Sequence, residues 1–198
     1  DGNAQIFVAT RNGMAIRIEE SKGRSMSRSA HGVRAIKLRD GDYVVGMARV
    51  REGATLLTVT ENGYGKRTKI EDYTIQYRGG YGKINYKVDD IRGHVCGIKI
   101  IDEDEDIILV SSDGIIIRIL ASDIRVMGRI AKGVRVMRVN EGAQVVAFTR
   151  AEHDDNAETE KVEQLTEEQA QQAEAEAKLE EENEIVIEAD EDETDDEE

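Results

Sequence analysis

The 198-residue sequence lacks proline and tryptophan and holds a single cysteine, with only 4% aromatic residues. One cysteine excludes an internal disulfide framework, and with three histidines it offers no metal-ligand spacing. Apolar runs such as residues 6–10 and 107–111 fall far short of the ~20 residues that a membrane-spanning helix needs. We therefore expect a soluble, cytoplasmic protein without membrane contact. The chain starts with neither methionine nor a signal peptide, so we expect it to be cut from something longer.

The formal net charge of −15 averages two unlike parts. Residues 1–150 hold 25 Lys and Arg against 19 Asp and Glu, whereas residues 151–198 hold 2 against 23. This asymmetry is typical of a polyanion-binding body with an acidic appendage. Because blocks of like charge repel, residues 151–198 are predicted to form a disordered acidic tail. Such a tail either only solubilises the protein or competes for the basic surface of the body.

Three sequence landmarks recur across residues 1–150 with a period of about 50 residues. They are a turn glycine preceded by Asn or Asp, a basic residue four positions later, and a second glycine 19 positions after the first. The residues are Gly13, Gly63 and Gly114, then Arg17, Arg67 and Arg118, then Gly32, Gly82 and Gly133. Periods of this length are typical of propeller blades or solenoid turns.

Each repeat is predicted to contain four strands. Asn-Gly or Asp-Gly between β-prone runs indicates a tight hairpin, residues 33–38 are predicted as a third strand, and residues 43–50 as a fourth. The sequence thus predicts an all-β fold of propeller-like or pinwheel-like blades at about residues 1–50, 51–101 and 102–150. Three blades are too few to close a usual ring, so we expect further blades upstream.

The stretch between the hairpin and the second glycine carries basic residues in register, with Arg28, Arg78 and Arg129 equivalent and Arg24 matching Arg125. Blades arranged side by side would align these residues into a basic rim, which is a track for phosphates. The alternative is a set of solvated surface arginines. The candidate DNA-binding residues are Arg17, Lys22, Arg24, Arg28, Lys66, Arg67, Arg78, Lys83, Arg118, Arg125, Arg129 and Lys132.

The middle connection has three glycines, which permit close approach of the backbone to a ligand. It is not a nucleotide-binding loop, because Lys83 is followed by Ile84 instead of Ser or Thr. With residues 61–68 before it, this stretch resembles the C-terminal β-pinwheel domain of gyrase A subunits. That family carries a heptad, Gln-Arg-Arg-Gly-Gly-Lys-Gly, called the gyrase box. Five of seven positions match in a degenerate copy: Gln76, Tyr77, Arg78, Gly79, Gly80, Tyr81 and Gly82.

The departures from the heptad are Tyr77 and Tyr81, which each replace a basic residue. The resemblance covers residues 3 to about 150. In the family the functional box belongs to the first blade, so we do not assign the full wrapping role to this late copy.

The resemblance implies non-sequence-specific binding and wrapping of double-stranded DNA, in support of negative supercoiling by an ATP-dependent type II topoisomerase. It implies as partners gyrase B and the rest of the gyrase A subunit, in an A2B2 holoenzyme at the nucleoid, with ATP and Mg²⁺ bound elsewhere. No catalytic set, metal site or cofactor is predicted in this chain. The alternatives are a topoisomerase IV C-terminal domain and a β-propeller protein-interaction scaffold.

Overall fold

Short antiparallel strands form most of the regular structure. A computed structural model describes residues 2–153. The predicted tail lies outside the described residues from residue 154 onward, whereas its first two residues, 151 and 152, belong to a strand, so the tail begins later than predicted. The described strands are β1 (Gln5–Thr10), β2 (Met14–Glu19), β3 (Val44–Arg49), β4 (Thr55–Thr60), β5 (Tyr64–Lys69), β6 (Lys83–Ile84), β7 (Val95–Ile101), β8 (Glu105–Ser111), β9 (Ile116–Leu120), β10 (Val134–Arg135) and β11 (Val145–Glu152). Three short 3-10 helices lie at Glu20–Lys22, Ile70–Asp72 and Ala121–Asp123. No helix within residues 2–153 is long and apolar enough to cross a membrane.

The hairpins turn at the repeated glycines. Gly13 lies between β1 and β2, Gly63 between β4 and β5, and Gly114 between β8 and β9, with φ angles of 81°, 77° and 87°. A side chain disfavours this region of φ, so the turns require glycine. The predicted hairpins and the all-β fold class are confirmed.

The strands assemble into three sheets with the orders β3-β1-β2-β6, β7-β4-β5-β10 and β11-β8-β9. In each sheet the first hairpin strand also pairs with the last strand of the same repeat, and one register shift interrupts that pairing. The predicted fourth strand at residues 43–50 is confirmed as β3.

The third strand is placed differently from the prediction. Residues 33–38 contain no strand, and β2 pairs instead with β6 from the next repeat, as β5 pairs with β10. The Gly13 carbonyl accepts hydrogen bonds from the Asn85 and Tyr86 N–H groups, which fixes this exchanged strand. Each exchanged strand has only two residues, so its side-chain pattern cannot reveal its partner. The first two sheets therefore do not coincide with a sequence repeat, because each takes one edge strand from the next repeat.

The third sheet has an open edge. Within residues 2–153 no strand pairs with the outer side of β9. Ile116 on this edge is 66% exposed, whereas Ala15 and Gly65 at the equivalent positions are buried beneath an exchanged strand.

The core lies between neighbouring sheets. Leu56 packs in a cluster with Phe7 and Tyr73, and the next residue, Leu57, packs in a second cluster with Ile107 and Ile124. Because successive strand residues face opposite sides, β4 is buried on both faces between the first and third sheets. This stacking places the connections between hairpins and second glycines side by side.

Candidate nucleic-acid interface

Three connecting segments, at residues 20–32, 70–82 and 121–133, link each hairpin to the second glycine of its repeat. They carry most of the predicted DNA-binding residues. Lys22, Arg24, Arg28, Arg78, Arg125 and Lys132 are exposed on them, Arg129 is partly exposed, and Lys83 is exposed at the start of β6.

Neighbouring connecting segments are joined to one another. Arg78 Nε donates to the Lys22 carbonyl at 3.1 Å, which ties the second segment to the first. Arg129 Nη1 donates to the Ile84 carbonyl at 3.1 Å, which ties the third segment to β6, the strand that follows the second segment. The basic residues therefore lie on adjacent stretches of chain, as a rim along successive blades requires. We call this set of exposed residues the basic rim.

The backbone holds the second and third segments against the preceding blade. The Gln76 N–H donates to the Arg17 carbonyl at 2.8 Å, and the Met127 N–H donates to the Arg67 carbonyl at 2.7 Å. Each bond lies beside an isolated parallel β-bridge, which pairs Arg17 with Ile75 in one case and Arg67 with Val126 in the other. The rim is thus anchored to the sheets by backbone geometry that repeats from blade to blade.

The in-phase arginines Arg17 and Arg67 connect blades. Arg17 Nη1 donates to the Ile70 and Tyr73 carbonyls at 2.8 and 3.0 Å. Arg67 is 4% exposed, and its Nε donates to the Ile124 carbonyl at 2.6 Å. Both guanidinium groups therefore satisfy carbonyls around the 3-10 helix of the next blade.

Arg118, the third member of the series, pairs with Asp106 at 2.7 Å, and its Nη2 donates to the Glu152 carbonyl at 2.9 Å. It stays exposed, but its charge is matched within its own blade.

Lys66 is fully buried, with 0% of its surface exposed. Its ammonium donates to the Gly128 carbonyl at 2.9 Å and to the Arg129 carbonyl, and it lies 5.3 Å from the centre of the Tyr86 ring. Burial, aided by the nearby Arg129, lowers the pKa of Lys66 to about 8. A buried ammonium presents no face to a phosphate. We therefore remove Lys66 and Arg67 from the predicted DNA-binding set and give them the role of fixing the third connecting segment.

The degenerate box, residues 76–82, forms a turn against β2, on which Tyr77, Arg78 and Tyr81 are exposed. Gly79 and Gly82 have φ angles of 82° and 73°. A Cβ on Gly82 would lie 2.4 Å from the Ala15 carbonyl oxygen, so glycine at this position permits close approach of the turn to the sheet. The Tyr77 side chain is 83% exposed on this turn.

Two basic residues beside the box are absent from the predicted set. Lys37 and Arg39 are exposed and lie over the ring of Tyr81, at 4.8 and 5.8 Å from its centre. Lys37 is in phase with Lys87 and Arg138, each five residues after the second glycine of its repeat, but it lies in the stretch that was predicted as a third strand.

A family model described as the DNA gyrase C-terminal domain, beta-propeller, matches residues 4–51, 54–92 and 105–152. The DNA gyrase A subunit of Haloquadratum walsbyi is 41% identical over 163 residues, which cover 81% of this chain and 19% of that protein. The chain thus spans about a fifth of the length of this relative.

A solved gyrase A C-terminal domain superposes with a TM-score of 0.71 at 30% identity, over 75% of this chain and 50% of the other. The solved C-terminal domain of a topoisomerase IV superposes with a TM-score of 0.72 over 77% of this chain and 48% of the other, and at 24% identity it supports the fold alone. The matched family model, which spans most of the chain, shows that the chain belongs to the family of DNA gyrase C-terminal, beta-propeller domains.

Proposed function

We propose that this chain binds and wraps double-stranded DNA without sequence specificity, as the C-terminal part of a gyrase A subunit. The observation that carries the proposal is the basic rim on three cationic segments. Arg78 bonds to the backbone of the first segment, and Arg129 bonds to the backbone of β6, which follows the second. Exposed Lys and Arg side chains neutralise the phosphates of DNA, and such phosphate contacts do not distinguish one base sequence from another. The family membership of the chain supports the same function.

Wrapping follows from having several such segments on successive blades. Bending a short duplex costs a few kcal/mol, on the order of 1–6 for 20–30 base pairs. Phosphate contacts repeated from blade to blade offset that cost, whereas a single basic patch would bind the duplex without bending it.

The remainder of the proposed machine lies outside this chain. We place the cleaving tyrosine, ATP and Mg²⁺ in the rest of an A2B2 gyrase, in which gyrase B and the other part of the gyrase A protein are partners of this domain. By wrapping DNA, the domain then supports ATP-dependent negative supercoiling by a type II topoisomerase in the nucleoid. A topoisomerase IV C-terminal domain is the less favoured alternative, supported by a superposition at 24% identity.

A ligation assay tests wrapping directly. Nicked plasmid is bound by the full chain, sealed with ligase and freed of protein, and the linking number is read on a gel. We expect a positive shift that grows with the amount of protein. Replacement of Arg28, Arg78 and Arg129 by Ala should reduce it.

A control variant carries Gln at Lys69, Arg51 and Arg150, of which the latter two pair with Glu105 away from the connecting segments. This variant should keep the shift. Binding without any shift by the unaltered chain contradicts wrapping, and absence of binding contradicts the proposal as a whole.

A further inference from the structure

Tyr81 occupies the sixth position of the degenerate box, where the family heptad has lysine. Its side chain is 45% exposed, and two cations of the preceding repeat lie near its ring. The Lys37 ammonium is 4.8 Å and the Arg39 guanidinium 5.8 Å from the ring centre, within the range of cation–π attraction. Position 81 therefore lacks the positive charge of the heptad lysine, but two other cations lie beside it.

Backbone hydrogen bonds hold the two segments together. The Lys37 N–H donates to the Gly80 carbonyl at 2.8 Å, and the Gly79 N–H donates to the Ala35 carbonyl at 2.7 Å. Residues 35–37 of the first repeat thus run alongside the box of the second. The placement of Lys37 and Arg39 at the box consequently follows from the main chain and does not depend on side-chain flexibility alone.

The next repeat shows the same positions with different chemistry. Lys132 is equivalent to Tyr81, Lys87 to Lys37, and Asp89 to Arg39. There the Lys132 ammonium lies 3.8 Å from the Asp89 carboxylate. The three positions sum to a formal charge of +1 in that repeat and of +2 around Tyr81.

The aromatic ring of Tyr81 attracts the Arg39 guanidinium, whereas a lysine at position 81 would repel Arg39. The three positions around the degenerate box therefore carry one more positive charge than the equivalent positions around Lys132.

We propose that Lys37, Arg39 and Tyr81 form a phosphodiester-binding site that spans two repeats, beside Arg78 and Lys83 of the box. Lys37 and Arg39 contact backbone phosphates of duplex DNA, and Tyr81 is a positioning residue that holds their charged ends together. The site rests on the proposed DNA-binding function and adds to it a second source of charge for a box that lacks two basic residues.

The test measures the affinity of the full chain for a fixed-length duplex across a salt series. The double variant Lys37→Gln/Arg39→Gln removes two phosphate contacts, so the log-log salt slope should fall by about 1.8. Tyr81→Leu should weaken binding about two- to fivefold, as expected for exposed cation–π contacts. Tyr81→Phe keeps the ring and should bind like the unaltered chain.

Two comparisons make the result specific. The control Arg51→Gln/Arg150→Gln removes the same charge from residues paired with Glu105 and should leave most of the slope. In the Lys37→Gln/Arg39→Gln background, Tyr81→Leu should have no further effect, because the tyrosine acts through those cations. Thermal unfolding of each variant verifies that it is folded.

An unchanged slope in the double variant, or an equal effect of Tyr81→Leu in both backgrounds, would overturn the site while leaving DNA binding by the other segments intact. Absence of salt-dependent binding by the unaltered chain would instead overturn the proposed function, and this site with it.

Discussion

Gly63→Ala tests the strand exchange through a clash that the structure defines. A Cβ on Gly63 would lie 2.2 Å from the Met137 carbonyl oxygen, which belongs to the segment that follows β10. Gly114 has a similar positive φ, 87° against 77°, but open space within 4 Å of the added atom. Gly114→Ala is therefore the matched control, since both variants bear the backbone strain and only Gly63→Ala bears the clash.

The backbone strain of an L-residue in this region costs about 1–2 kcal/mol, so it sets the expected loss for Gly114→Ala. Gly63→Ala must also displace the segment whose Val136 and Met137 N–H groups donate to the Gly63 carbonyl at 2.9 and 3.1 Å. Loss of two such bonds adds about 2 kcal/mol. For a body of this size, that difference lowers the melting temperature by roughly 4–8 °C relative to the control.

The assay is thermal and urea unfolding of both variants, followed by far-ultraviolet circular dichroism. Equal melting temperatures for Gly63→Ala and Gly114→Ala would show that the exchanged strand does not lie over the Gly63 turn. Gly13→Ala, with the Tyr86 carbonyl oxygen 2.1 Å from the added Cβ, should behave like Gly63→Ala.

Three further outcomes are expected. Arg67→Met should lower the free energy of unfolding by roughly 2 kcal/mol, through its lost carbonyl bonds, and leave the salt slope of DNA binding unchanged. The pKa of the buried Lys66 is about 8 in the folded chain against 10.5 when unfolded, so the stability of the chain relative to Lys66→Met should rise with pH between those values, by about 3 kcal/mol. A pH-independent difference in urea unfolding would contradict this. Deletion of residues 155–198 should tighten DNA binding at low salt, with a gain that fades as salt is added, and weaker binding after truncation would reverse the predicted role of the tail.

The hairpins were predictable because Asn-Gly and Asp-Gly determine their own local conformation, and such a dipeptide occurs at the same place in all three repeats. The third strand was not, because a two-residue strand owes its position to backbone partners some 70 residues away, as Lys83–Ile84 does to β2. Residues 33–38 have the alternation of a strand, and the structure places residues 35–37 against the box turn instead.

The candidate site divides in the same way. Spacing identified Arg28, Arg78 and Arg129 as equivalent, and they do lie on corresponding connecting segments. Spacing also selected Arg17 and Arg67, because a half-buried or buried arginine that links two blades recurs as regularly as an exposed one. Lys37 and Arg39 were missed because their relation to Tyr81 depends on the packing of two repeats.

The salt dependence of duplex affinity tests directly whether the basic rim binds DNA phosphates without sequence specificity. Dissociation constants of the full chain and of the Arg28→Ala/Arg78→Ala/Arg129→Ala variant would be measured on two unrelated duplexes of equal length. If the rim binds phosphates, the variant binds both duplexes more weakly by the same factor, with a log-log salt slope smaller by about 0.9 for each phosphate that is no longer neutralised. A loss confined to one duplex, or an unchanged slope in the variant, would contradict such non-specific binding.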